Sequence, residues 1–146
     1  MSQQEDERYM RLALEEAQLA YESGEIPIGA VVVCDGRVIA RAHNEVERLS
    51  DPTAHAEVLA VTAATQYMRS KFLGDCRLYV TIEPCTMCAG ALHWARLGEV
   101  IYGASEEKFG YQRYAPEIFP RATKVRGGVL AEEARALMQS FFRARR

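Results

Sequence analysis

One histidine and two cysteines that must meet at a point constrain this chain more than any other feature. His55 lies in Asp51-Pro52-Thr53-Ala54-His55-Ala56-Glu57, and Cys85 and Cys88 lie in Glu83-Pro84-Cys85-Thr86-Met87-Cys88. One imidazole and two thiols form a ligand set suited to zinc, one ion per chain. Three protein ligands leave the fourth tetrahedral position for water, the arrangement of a catalytic rather than a structural site. Glu57 needs no place among the ligands, and a carboxylate beside such a water can take its proton and pass it on. His55 and Glu57 stand two residues apart, a spacing that does not put both on one side of a helix. The metal must therefore sit off the N-terminal end of a helix, where first-turn side chains converge.

The rest of the chain is read around that demand. Residues 5–22 predict an amphipathic helix with Met10, Ala13, Ala17 and Tyr21 recurring at helical spacing, ended by Gly24. Ile26 to Cys34 and Arg37 to Ala42 are β-rich, and Asp35-Gly36 between them is a two-residue hairpin signal. Ala30-Val31-Val32-Val33 suggests a strand covered on both faces. Asp51 is read as an N-cap and Pro52 as the first residue of a helix running to about Ser70, with Val58, Val61, Thr62 and Thr65 inward. A strand follows from Arg77 to Ile82. A helix from Pro84 to Ala95 then places Cys85 and Cys88 on one face of its first turn, where the dipole favours thiolates.

Val100 to Gly103 reads as a strand and residues 104–122 as a loop without clear period. A short last strand begins at Val125, and a helix from Ala131 to Arg145 holds Leu137, Phe141 and Phe142 inward. Cys34 and Cys76 read as packing residues, and His93 as a packing or surface histidine. The aromatic loop offers Phe109, Tyr111 and Tyr114 either to stack on a base or to pin the loop to the body. This order of elements implies a mixed sheet sandwiched by helices.

At 146 residues the chain fits one domain, residues 1–146, with room for a core. The longest uncharged apolar stretch, Pro84 to Ala95, is too short to span a bilayer, so no membrane partner is expected. The opening residues are polar and acidic rather than signal-like, and the C-x-x-C is poor material for a disulfide scaffold. A reducing cytoplasm fits. The net charge of −2 hides an asymmetry, because residues 121–146 carry seven basic and two acidic side chains. The tail Arg143-Ala144-Arg145-Arg146 suits either a phosphate backbone or the C-terminal end of a helix dipole.

The pattern H-x-E followed by P-C-x-x-C is that of zinc nucleobase deaminases. With it, Ile26-Pro27-Ile28-Gly29-Ala30, His43-Asn44, Leu78 to Gly90 and Val129 to Arg146 make the chain resemble the cytidine-deaminase superfamily, most of all its tRNA adenosine deaminase branch. The resemblance runs from the first helix nearly to the last residue. It implies a three-layer α/β/α sandwich with a mixed five-stranded sheet, a homodimer with active sites near the interface, and hydrolysis of adenosine to inosine at the tRNA wobble position. It also implies zinc on His55, Cys85 and Cys88, with Glu57 as the proton shuttle. Asn44 would bond the base, and the Ala56 and Cys85 backbone N–H groups would help hold base and hydroxide. Glu106 and Lys108 match acidic and basic loop positions, whereas Phe109 to Pro120 lacks the family's usual small-residue loop.

Three other readings stand beside this one. A structural zinc site would need a fourth ligand from Cys34, Cys76 or His93. A C-x-x-C redox protein would leave His55-Ala56-Glu57 without a role. Within the same chemistry, the alternative substrate is a free base or nucleoside such as guanine or cytosine.

Overall fold

Helix α1 (Gln3–Glu22) opens the fold in the computed structural model, which describes residues 2–145. The Ser2 hydroxyl accepts the Glu5 N–H at 3.1 Å and satisfies one of the unpaired donors of the first turn. Met10, Ala13 and Ala17 are buried as their spacing predicts, while Tyr21 is half-buried and meets Phe141 edge-on. Strands β1 (Gly29–Cys34) and β2 (Arg37–His43) form the expected hairpin. Asp35 and Gly36 take φ of 53° and 74°, the paired left-handed conformations that a two-residue turn between right-twisted strands requires.

The sheet continues with β3 (Cys76–Ile82), β4 (Glu99–Ala104) and β5 (Lys124–Arg126), in the order β2-β1-β3-β4-β5. Strand β1 runs antiparallel to both neighbours, and β3, β4 and β5 are parallel. The sheet is therefore mixed. Its central strands alternate between two cores. Ala30, Val32, Leu78, Val80 and Val100 face α3 (Ala56–Met68) and α4 (Thr86–Ala95). Val31, Val33, Tyr79 and Ile101 face α1. Helix α6 (Ala131–Arg143) joins α1 on that side through Ala134, with Leu14 of α1 against the same cluster. The fold is the three-layer α/β/α sandwich, and β1 is buried along its whole length.

A polar cluster fastens α1 to three strands. The Asp6 carboxylate accepts from Arg126 at 2.7 and 2.8 Å and from the Tyr79 hydroxyl at 2.7 Å. Arg126 also reaches Glu99 at 2.6 Å, and Arg77 donates to Tyr79 at 2.8 Å. Burial pushes the Asp6 carboxyl up, but the bonds from Arg126 and Tyr79 outweigh it and hold the group below its ordinary value.

Three local expectations are corrected. Asp51 does not cap α3: its side chain accepts from the Thr53 N–H and hydroxyl, both at 2.8 Å, and closes a turn of its own. The helix starts at Ala56 with His55 as N-cap. Its fully buried face is Ala56, Glu57, Ala60 and Ala64, because small side chains let the helix lie close to the sheet. Val61 packs against the same core as expected, Val58 and Thr65 are half-buried, and Thr62 is exposed. At the other end of the chain Phe142 is 45% exposed rather than inward, since Phe141 already fills the place beside Tyr21.

Candidate functional site

Two helix starts meet at the carboxyl end of β3. His55 is the N-cap of α3 and Cys85 the N-cap of α4, both with extended backbone, and Cys88 lies in the first turn of α4. Side chains there project beyond the helix ends, which is the convergence that the spacing of His55 and Glu57 demands. The His55 Nδ1 lies 3.8 Å from Cys85 Sγ and 3.4 Å from Cys88 Sγ. One donor atom from each residue falls within 4.8 Å of the others, so the group can hold a metal ion. Cys34 and Cys76 face each other across the opposite end of β1 and β3, and the Cys34 thiol donates to the Asp75 carbonyl at 3.6 Å. His93 Nδ1 donates to the Ile118 carbonyl at 2.6 Å. Among the described residues, none of these three belongs to the cluster, which therefore offers three protein ligands.

The electrostatics of the group suit a soft divalent cation. A hydrogen bond from Cys88 holds the Cys85 thiol down to about 4, against the opposing effect of burial, with His55 adding to the shift. Cys88 is pushed up by its bond to Cys85 and by burial, because one site without a cation does not hold two thiolates. A divalent ion reverses that logic, and one nitrogen with two sulfurs matches zinc rather than a hard oxygen-seeking ion. Glu57 is 3% exposed, turned inward from the first turn of α3 against Cys88, and burial raises its carboxyl to about 7. It stands beside the cluster and outside the donor set.

Two walls flank this centre. On one, Asn44 is buried at the end of β2, and its Oδ1 accepts the Ala56 N–H at 2.7 Å. The Ala56 N–H is therefore committed to Asn44 rather than open to a ligand. Beyond it, α2 (Val46–Leu49) packs over Glu25, whose carboxylate accepts the Glu47 and Arg48 N–H groups at 3.0 and 2.9 Å. On the other wall, Gly110 bridges to Cys85, and the Tyr111 N–H donates to the Pro84 carbonyl at 2.9 Å. The Glu106 carboxylate closes a tight turn by accepting the Lys108 and Phe109 N–H groups at 3.1 and 2.6 Å.

The aromatic loop divides. Phe109 is 66% and Tyr114 60% exposed, but Tyr111 is buried, edge-on to Phe119 at 5.0 Å. Tyr111 is a core residue and its ring does not face a ligand. Residues 104–122 also hold a helical turn, α5 (Tyr111–Tyr114), that no sequence period announces. The sequence reading gave no role to Glu25 or Glu83, both buried and both bonded to loop backbone. The available signal was an acid bordering an apolar run, Glu25 before Ile26-Pro27-Ile28 and Glu83 after Thr81-Ile82.

The family described as MafB19-like deaminase matches residues 4–146. A tRNA-specific adenosine deaminase of Streptococcus pyogenes is 42% identical over 147 residues, covering 97% of this chain and 92% of its own. A structure solved in a study of A-to-I editing by tRNA:A34 deaminases at the wobble position is 41% identical, with a TM-score of 0.83, and covers 89% of this chain and 98% of its own. Guanine deaminase from Bacillus subtilis is 40% identical, with a TM-score of 0.67 and coverage of 77% and 75%.

Proposed function

The chain belongs to the MafB19-like deaminase family, and on that premise we propose that it hydrolyses adenosine to inosine at the wobble position of tRNA. The observation that carries the substrate is identity sustained along the chain. The tRNA:A34 deaminase structure keeps 41% identity over 89% of the chain, whereas the guanine deaminases keep 40% over only 77% of it or 25% over 92%. Phe109, next to the Gly110 that bridges to Cys85, presents its ring to solvent, as does Tyr114, and outward rings suit a base whose neighbours stay attached.

His55, Cys85 and Cys88 hold zinc in this reading, and their donor chemistry and proximity support it. Zinc supplies Lewis acidity when bound. Glu57 accepts a proton from the attacking water and delivers it to the ring nitrogen next to the amino-bearing carbon. Water adds at that carbon, Glu57 carries the remaining hydroxyl proton to the amino group, the C–N bond breaks, and ammonia leaves with inosine as the other product. Burial of Glu57 keeps bulk water from competing for that proton. Asn44, fixed by its bond to Ala56, has its amide NH2 left to donate to the base. Phe109 and Tyr114 offer stacking surfaces, and Glu106 shapes the turn that carries Phe109 and Lys108.

Met87 and Trp94 are 40% and 71% exposed on the outer face of α4, two turns apart. A homodimer would cover them. Among the described residues no helix is long and apolar enough to cross a membrane, and four unpaired thiols suit the cytoplasm, where the proposed substrate resides. The 40% identity to guanine deaminase favours guanine as the second reading. Ammonia release from tRNA, adenosine, guanine and cytosine at equal concentration tests the choice: tRNA should be turned over, and turnover of guanine alone overturns it.

A further inference from the structure

Glu83 is 6% exposed, yet its carboxylate touches backbone rather than solvent. Oε1 accepts the Glu106 N–H at 3.0 Å and Oε2 accepts the Gln112 N–H at 3.1 Å. These two donors are the two ends of the turn that carries Phe109. Within the turn, Glu106 and the Gly110 N–H close local bonds that hold its shape and do nothing to attach it to the protein. Attachment comes from Glu83, from the Tyr111 bond to Pro84, from the bridge between Gly110 and Cys85, from the Gln112 amide on the Tyr102 hydroxyl at 2.6 Å and from burial of the Tyr111 ring. Gly110 completes the fit, because a Cβ there would collide with the Glu83 carboxylate and the Glu106 carbonyl.

We propose that Glu83 is a positioning residue for the RNA substrate: its two oxygens clasp both ends of residues 106–112 and hold Phe109 at the mouth of the site. The proposal rests on the tRNA reading above. Chemistry favours a carboxylate for the task. An ionised carboxylate offers acceptors on both arms, whereas an amide of equal volume must turn an NH2 toward one of the two N–H groups. Burying a carboxylate is costly, so this position keeps one because two inward-pointing backbone donors need acceptors. Since Glu83 precedes Pro84 and Cys85, the same residue also sets the loop's distance from the metal-binding cluster.

The test compares wild type with Glu83→Gln and Gly110→Ala in the full chain. The second variant pushes the clasp apart from the loop side at a φ of −63°, which alanine adopts freely. Three readouts are taken: zinc per chain, amide hydrogen exchange over 106–112, and KM and kcat on an anticodon stem-loop RNA. Both variants should keep one zinc. Exchange at Glu106 and Gln112 should rise tenfold or more, and KM should rise about tenfold with kcat within about threefold. Unchanged exchange, loss of zinc, or a fall in kcat with KM unmoved overturns the proposal. If Glu83→Gln does not fold, Gly110→Ala alone decides. If the wild type leaves RNA unchanged, the substrate reading and the RNA role of Glu83 fail together, while exchange still reports whether the clasp exists.

Discussion

Replacing Asp6 by asparagine removes the charge that fastens α1 to the sheet on which the site is built. The carboxylate accepts three short bonds, two from Arg126 and one from Tyr79. A hydrogen bond to a charged group contributes about 1.5–3 kcal/mol, and breaking a buried pair costs about 3–5 kcal/mol. The lower end applies, because the Arg126 side chain is 35% exposed and keeps Glu99, and asparagine retains one acceptor. A loss of about 2–3 kcal/mol follows. For a chain of this size that lowers the melting temperature by about 5–10 °C. The pH dependence has a definite sign. The folded Asp6 carboxyl lies below its ordinary value, so its contribution is complete above the unfolded value near about 4 and fades as pH falls through the folded one. Thermal melts followed by circular dichroism from pH 8 to pH 3 should show a constant gap between wild type and Asp6→Asn down to about pH 5, then a narrowing gap. A variant within 1 °C of wild type at pH 7, or a gap that widens in acid, refutes the reasoning.

Glu57→Ala should retain one zinc per chain by metal analysis and lose at least about a hundredfold in kcat, since it removes the proton carrier and no ligand. Joint replacement of Arg143, Arg145 and Arg146 by alanine should weaken tRNA binding and flatten its salt dependence, while cleavage of ammonia from a free nucleoside stays as it was. Arg146 lies outside the described residues. Light scattering at micromolar concentration should give twice the chain mass, and Trp94→Glu should shift the protein toward monomer.

What was legible in the sequence had local or pairwise causes. Asp35-Gly36 announces its turn because both residues tolerate positive φ, and β1 announces burial on both faces because every position is apolar. The convergence of His55 with Cys85 and Cys88 was legible because ligand chemistry leaves those side chains little else to do together. The start of α3 was not, since an aspartate before Pro-Thr serves a cap and a self-contained turn equally well until the tertiary structure chooses. Order in residues 104–122 was hidden for a similar reason. It is imposed from outside the loop, by Glu83, by His93 on Ile118 and by the core around Tyr111 and Phe119. Glu25 and Glu83 take no role from the sequence because most glutamates lie at the surface, and only the fold reveals the backbone donors they meet.

The central claim is that this chain turns adenosine into inosine in tRNA at the wobble position. Purified protein with zinc is incubated with a tRNA carrying adenosine at that position, and the RNA is digested and analysed by mass spectrometry. One inosine should appear per tRNA, at the wobble position, with one ammonia released and none formed by Glu57→Ala. Unchanged tRNA beside brisk release of ammonia from guanine would contradict the account.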